Sequence, residues 1–100
     1  MPVHNADIAA VFAEIADLLE IQGANPFRIR AYRNAVRTFA ELPQEARLLL
    51  KKGEDLQRLP GIGADLAAKA AEVVATGSCS LLQRLHQELP PAVTQLLQIP

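Results

Sequence analysis

Apolar residues recur along this chain at helical intervals and never alternate with polar ones as they would in a half-buried strand. Ile8, Val11, Phe12, Ile15, Leu18 and Leu19 share one stripe, as in an amphipathic helix. The pattern predicts a helix capped by Asn5 and running to Gln22, with Gly23 just past its end. Asn25 followed by Pro26 then reads as the cap and first position of a second helix. Its buried stripe is Ile29, Tyr32, Val36 and Phe39, with Arg30, Arg33 and Arg37 on another face, and Leu42-Pro43 ends it. A short leucine-rich helix over 44–52 stops at Gly53, and 54–59 adds about a turn and a half. A strong helix follows over 64–76, ending at Gly77. Ser80 caps a helix through Leu89, and Pro91 opens a last one. The expected fold is all-α, a compact bundle of six or seven short helices.

Composition narrows this picture. Of 100 residues, 50% are hydrophobic, enough for one modest core. The single cysteine, Cys79, excludes an internal disulfide and suits a reducing cytosol. No apolar run reaches the ~18 residues of a membrane span, and no basic-then-apolar start suggests a signal peptide, so a cytoplasmic location without membrane partners is expected. His4 and His86 stand far apart in sequence, so no metal-ligand spacing exists.

The net charge of −1 hides an uneven distribution. Residues 1–27 carry Asp7, Glu14, Asp17 and Glu20 and no Lys or Arg. Residues 28–69 hold nine of the ten basic residues against five acids, a local excess of +4. Such a segment is either an ordinary solvated surface or the electrostatic footprint of a polyanion.

The sharpest signal is Leu56-x-x-Leu59-Pro60-Gly61-Ile62-Gly63-x-x-x-Ala67-x-x-Ala70. Leu59 and Ile62 would anchor a turn in the seam between two helices, and Pro60 fixes φ at the exit of the first. Gly61 and Gly63 would allow φ values that a Cβ disfavours, and Ala67 and Ala70 permit close helix approach. The glycines also leave backbone N–H groups bare at a helix N-terminus, where the dipole favours an anion. That chemistry grips phosphate and ignores base edges. A tight turn between two core helices is the alternative reading of the same residues.

This pattern resembles a helix-hairpin-helix motif. With Ala31-Tyr32-Arg33-Asn34-Ala35 and Ala75-Thr76-Gly77 it is similar, over roughly residues 5–90, to the N-terminal lyase-type domain of DNA polymerase beta. The chain is identified as a member of the DNA polymerase X family. The resemblance implies a SAM-like fold and one DNA-binding domain over 1–90. Leu96-Leu97-Gln98-Ile99-Pro100 repeats the pattern of Leu56-Gln57-Arg58-Leu59-Pro60, so 91–100 is expected to be the first helix of a second helix-hairpin-helix. The implied partners are gapped, nicked or 5′-phosphate-bearing DNA, and the polymerase and phosphoesterase domains of a parent chain.

The expected DNA contacts are the amides of Gly61, Ile62, Gly63 and Ala64, with Arg58 beside them. Arg28, Arg30, Arg33 and Lys69 are expected to form a side-chain surface. The resemblance further implies a monovalent cation, Na⁺ or K⁺, held by the carbonyls of Gln57, Leu59 and Ile62 when DNA is bound. It gives the domain no other cofactor. It also maps a Schiff-base nucleophile onto Lys69 and its pocket tyrosine onto Tyr32, which would make the domain a 5′-deoxyribose phosphate lyase. The chain departs from that pattern: Asp65 and Leu81 stand where lysines are expected, Ala68 where a glutamate is, and Phe27 where a histidine is. Arg28 keeps a cation in place of a lysine. A carboxylate at Asp65, one turn before Lys69, would repel a phosphate and favour the charged ammonium. Lys69 also reads as an exposed i, i+4 partner of Asp65, and Tyr32 as a core residue. Three classes of function follow: a DNA-backbone grip, a lyase using Lys69, and a helical protein-interaction domain.

Overall fold

A computed structural model describes residues 2–88, in which five α-helices and a 3₁₀ turn follow one another without a strand. The helices are α1 (Asn5–Ile21), α2 (Pro26–Glu41), α3 (Ala46–Lys51), α4 (Ala64–Thr76) and α5 (Ser80–Glu88), with the turn at Leu56–Arg58. The all-α expectation therefore holds. The helix expected after Pro91, and with it a second hairpin, lies outside the described residues.

The core forms where the stripes meet. Ile8, Phe12, Ile15, Leu18 and Leu19 of α1 are buried against Tyr32, Ala35 and Phe39 of α2. Phe12 presents edge-to-face geometry to both aromatic rings of α2, at centroid distances of 5.7 Å to Tyr32 and 5.7 Å to Phe39, an arrangement that adds to simple burial. Leu66, Ala70 and Val73 of α4 and Leu81, Leu82 and Leu85 of α5 complete the cluster.

The ends of α2 form as the sequence indicates. The Asn25 side chain accepts a hydrogen bond from the Phe27 N–H at 2.8 Å, and Pro26 occupies the first turn. Two other caps differ from expectation. His4, not Asn5, occupies the cap position of α1, where the Asp7 carboxylate accepts from the His4 N–H at 2.9 Å. Asn5 is drawn to a different helix. Its Oδ1 accepts from the Ala46 N–H at 2.8 Å, the first amide of α3, and its Nδ2 donates to the carbonyls of Leu42 and Gln44. A side chain capping a distant helix leaves no local pattern in sequence. Ser80 likewise lies within the first turn of α5, and its hydroxyl and N–H both donate to Oε2 of Glu72 on α4.

Two stability effects follow. Phe12→Ala empties a fully buried site between two rings and should cost about 3–5 kcal/mol in urea unfolding. Asn5→Ala should cost about 1–2 kcal/mol, as loss of a cap does, although Asn5 caps no residue of its own helix.

Candidate nucleic-acid interface

The hairpin joins the 3₁₀ turn to α4. Asp55 starts the turn, its side chain accepting from the Gln57 N–H at 2.9 Å. The Leu59 N–H then donates to the Leu56 carbonyl, and the Ile62 N–H to the Leu59 carbonyl at 3.1 Å. Leu56 and Ile62 are buried and Leu59 is half-buried, so the turn is pinned by apolar side chains on both limbs. Ala70 is fully buried and Ala67 half-buried. Thr38 of α2 adds a polar clamp, its hydroxyl donating to the Pro60 carbonyl at 2.9 Å. Nothing in the sequence marked Thr38 for this role.

The two hairpin glycines do different things. Gly61 has φ +74°, the left-handed conformation that a turn with Pro60 before it requires. Gly63, at φ −87° and ψ −174°, is extended and acceptable to any residue, so the expected need for unusual backbone angles is corrected at that position. It caps α4 without any side chain. Ala67 N–H is the first α4 amide to find a carbonyl, that of Gly63 at 2.9 Å. The amides of Gly61, Gly63, Ala64, Asp65 and Leu66 have no hydrogen-bond partner among the described residues. Those from Gly63 onward lie at a helix N-terminus that no side chain caps, a place that favours an anion. The Ile62 amide, also expected to face DNA, is instead consumed within the turn.

The expected side-chain surface divides in two. Arg28 and Lys69 meet in a cleft of about 440 Å³ between the start of α2, α4 and α5, together with Arg84, Ser80, Cys79, Ala68, Leu81 and Glu72. Arg30 and Arg33 line a different groove with Glu20, Pro26 and Ile29. The reason is helical geometry: at about 100° per residue, Arg28 and Arg30 point to nearly opposite sides of α2. Arg33 is moreover engaged by Asp17 at 3.0 Å and Glu20 at 2.7 Å, carboxylates of the acidic α1. Sequence reasoning missed Arg84, which reaches the cleft only because α5 folds back. Arg58 is exposed on the 3₁₀ turn and makes no ion pair among the described residues.

Lys69 is only 19% exposed and bonds Asp65, while Asp65 itself is open to solvent. Burial would lower the lysine pKa, but the hydrogen bond to Asp65 and attraction by neighbouring negative charge outweigh it, and the net direction is up. Beside it Tyr32 is 2% exposed, and its hydroxyl has no hydrogen-bond partner among the described residues. Burial pushes its pKa up, against the pull of Lys69. Glu72 does not serve Lys69 primarily. Its hydrogen bonds from Ser80 hold its carboxyl below the usual range. Phe27, next to Arg28, is 76% exposed.

A model of the helix-hairpin-helix domain family matches residues 3–79, and the chain belongs to that family. Over 98 residues it is 34% identical to the DNA polymerase/3′-5′ exonuclease PolX of Bacillus subtilis, an alignment covering 98% of this chain and 16% of that relative. The chain thus spans about a sixth of the relative's length. No helix among the described residues is long and apolar enough to cross a membrane.

The Lys69–Asp65 pair has a defined pH dependence. Because the folded-state lysine value is raised, the stabilisation is complete below the ordinary lysine pKa and is lost as pH rises through the raised value. Asp65→Asn removes the hydrogen-bonding carboxylate and leaves burial, so the Lys69 pKa should fall in an NMR titration of its ε-methylene. An unchanged value would mean that Asp65 does not hold the charge.

Proposed function

We propose that this domain grips the sugar-phosphate backbone of DNA without regard to base sequence, and that it positions a family X DNA polymerase at gapped or nicked DNA during repair. The observation that carries this reading is the set of unpaired amides at Gly61, Gly63, Ala64 and Asp65. They offer phosphate oxygens a row of identical donors, which carries no means of telling one base from another. Family membership and the similarity to PolX support the same assignment. Carbonyls of Gln57 and Ile62 accept no hydrogen bond among the described residues, and Leu59 accepts one. These three oxygens therefore suit a Na⁺ or K⁺, which would bridge the turn to a phosphate oxygen. The polymerase and phosphoesterase domains of a longer parent chain are its proposed covalent partners, and the cytoplasm its proposed location.

The cleft supplies a second anion seat. Arg28, Arg84 and Lys69 border it, and Arg28 and Arg84 keep cations there although position 81 is a leucine. Arg30 and Arg33 belong to the proposed surface only as flanking charge, since Arg33 must first leave Asp17 and Glu20. The unpartnered Tyr32 hydroxyl beside Lys69 favours a second reading, a 5′-deoxyribose phosphate lyase with Lys69 as nucleophile. The amine attacks an aldehyde only when neutral, and Asp65 holds it protonated. Trapping with borohydride on a 5′-incised abasic duplex should therefore be weak. Strong trapping that Lys69→Ala abolishes would establish the lyase.

The grip is tested by titrating a gapped duplex against the chain. Engagement of about three phosphates gives a log K against log salt slope near −2.7, at roughly −0.9 per phosphate. A slope near zero removes electrostatic DNA binding altogether. A Cβ added at Gly63 meets no atom within 4 Å, so Gly63→Val should fold, with a stability change below about 1 kcal/mol. Its isopropyl group beside the bare amides should nonetheless crowd an approaching phosphate and weaken binding about tenfold or more, since hydrogen bonds to a charged group are worth ~1.5–3 kcal/mol each. Unchanged affinity in that variant would show that the hairpin is not the grip.

A further inference from the structure

Beside the hairpin lies a groove of about 470 Å³ lined by Arg37, Thr38, Glu41, Leu42, Pro43 and Pro60, none of which borders the Arg28–Lys69 cleft. Three observations single out Arg37 within it. Arg37 is exposed and, among the described residues, has no carboxylate within ion-pair distance. Arg33, one turn earlier on the same helix, is neutralised by Asp17 and Glu20. The next residue, Thr38, is hydrogen-bonded through its hydroxyl to the Pro60 carbonyl. That bond fixes the C-terminal half of α2 against the turn whose next residue, Gly61, carries an unpaired amide.

We propose that Arg37 is a DNA-contacting residue, binding the phosphate adjacent to the one held by the hairpin amides, with the Thr38–Pro60 hydrogen bond setting its position. This inference rests on the hairpin reading and adds to it a side-chain contact on a different helix. The physical logic is a division of labour. The amides fix one phosphate by geometry but carry only partial charge. A guanidinium fixed beside them supplies a full positive charge and a planar fork for phosphate oxygens. Glu41 borders the same groove and opposes this attraction. It lies one turn beyond Arg37 without pairing with it, so a phosphate competes for Arg37 against a solvated carboxylate and not against an existing salt bridge.

The test uses the 100-residue chain and a gapped duplex, with affinity measured by fluorescence anisotropy across a salt series and folding checked by thermal melting. Arg37→Ala should make the salt slope shallower by roughly 0.9 and weaken binding about eightfold at 0.1 M salt, the value of one released counterion. Arg37→Lys, which keeps the charge, should retain the wild-type slope. Glu41→Gln should bind more tightly than wild type. Thr38→Val, which keeps the shape of the side chain and removes its hydroxyl, should weaken binding less than Arg37→Ala does and leave the slope unchanged. If Arg37→Ala binds like wild type while Gly63→Val loses affinity, the Arg37 assignment is overturned and the hairpin grip stands. If neither variant loses affinity, both fall together.

Discussion

The packing of α1 on α2 through Phe12 is the contact on which the rest of this fold depends. One ring meets Tyr32 and Phe39 edge-to-face, and these two residues lie nearly two turns apart on α2. The contact therefore fixes the rotation of α2 about its own axis as well as its position. Every functional group on that helix takes its direction from this rotation. Arg28 is delivered to the cleft, the Tyr32 hydroxyl to a place beside Lys69, and Thr38 to the hairpin carbonyl. Arg30 and Arg33 are turned away by the same geometry.

The chain presents two kinds of hydrogen-bond donor. At the hairpin the donors are backbone amides, prepared by the fold and insensitive to pH. Their cost is an uncapped helix start, which Gly63 accepts by carrying no side chain. In the cleft the donors are Arg28, Arg84 and Lys69, and carboxylates modulate them. Asp65 has two effects there: it stabilises the ammonium of Lys69, and it places an exposed negative charge beside that ammonium. The first effect favours a charged lysine over a neutral nucleophile, and the second opposes capture of an anion.

The uneven charge distribution has a structural counterpart. The acidic α1 neutralises Arg33 through Asp17 and Glu20, and Glu14 bonds His86 of α5 at 2.9 Å. Part of the basic excess of the middle segment is thus spent on holding helices together. Arginines that make no ion pair among the described residues include Arg28 at the cleft, Arg58 on the 3₁₀ turn and Arg37 beside the hairpin.

Local chemistry sufficed for much of this. Hydrophobic period, an Asn-Pro helix start and a Pro-Gly-Ile-Gly turn act over a few residues, so the five described helices, the α2 cap, most of the buried stripes and the hairpin were legible in sequence, although Ala35 takes a core place on α2 while Ile29 and Val36 are only partly buried. The glycine pattern also located the bare amides, because an uncapped helix start is itself a local feature. What only the tertiary structure decided involves residues distant in the chain. Asn5 caps α3 in place of α1, because its side chain finds the Ala46 amide across the bundle. Arg84 joins Lys69 because α5 folds back on α1 and α4. Arg33 leaves the expected DNA surface because acidic side chains of α1 lie beside it. Even Gly63, so plainly part of a turn motif, has an ordinary extended backbone. A motif states which residues are required, whereas φ and ψ are fixed by how Leu56 and Ile62 are buried and where α4 must start.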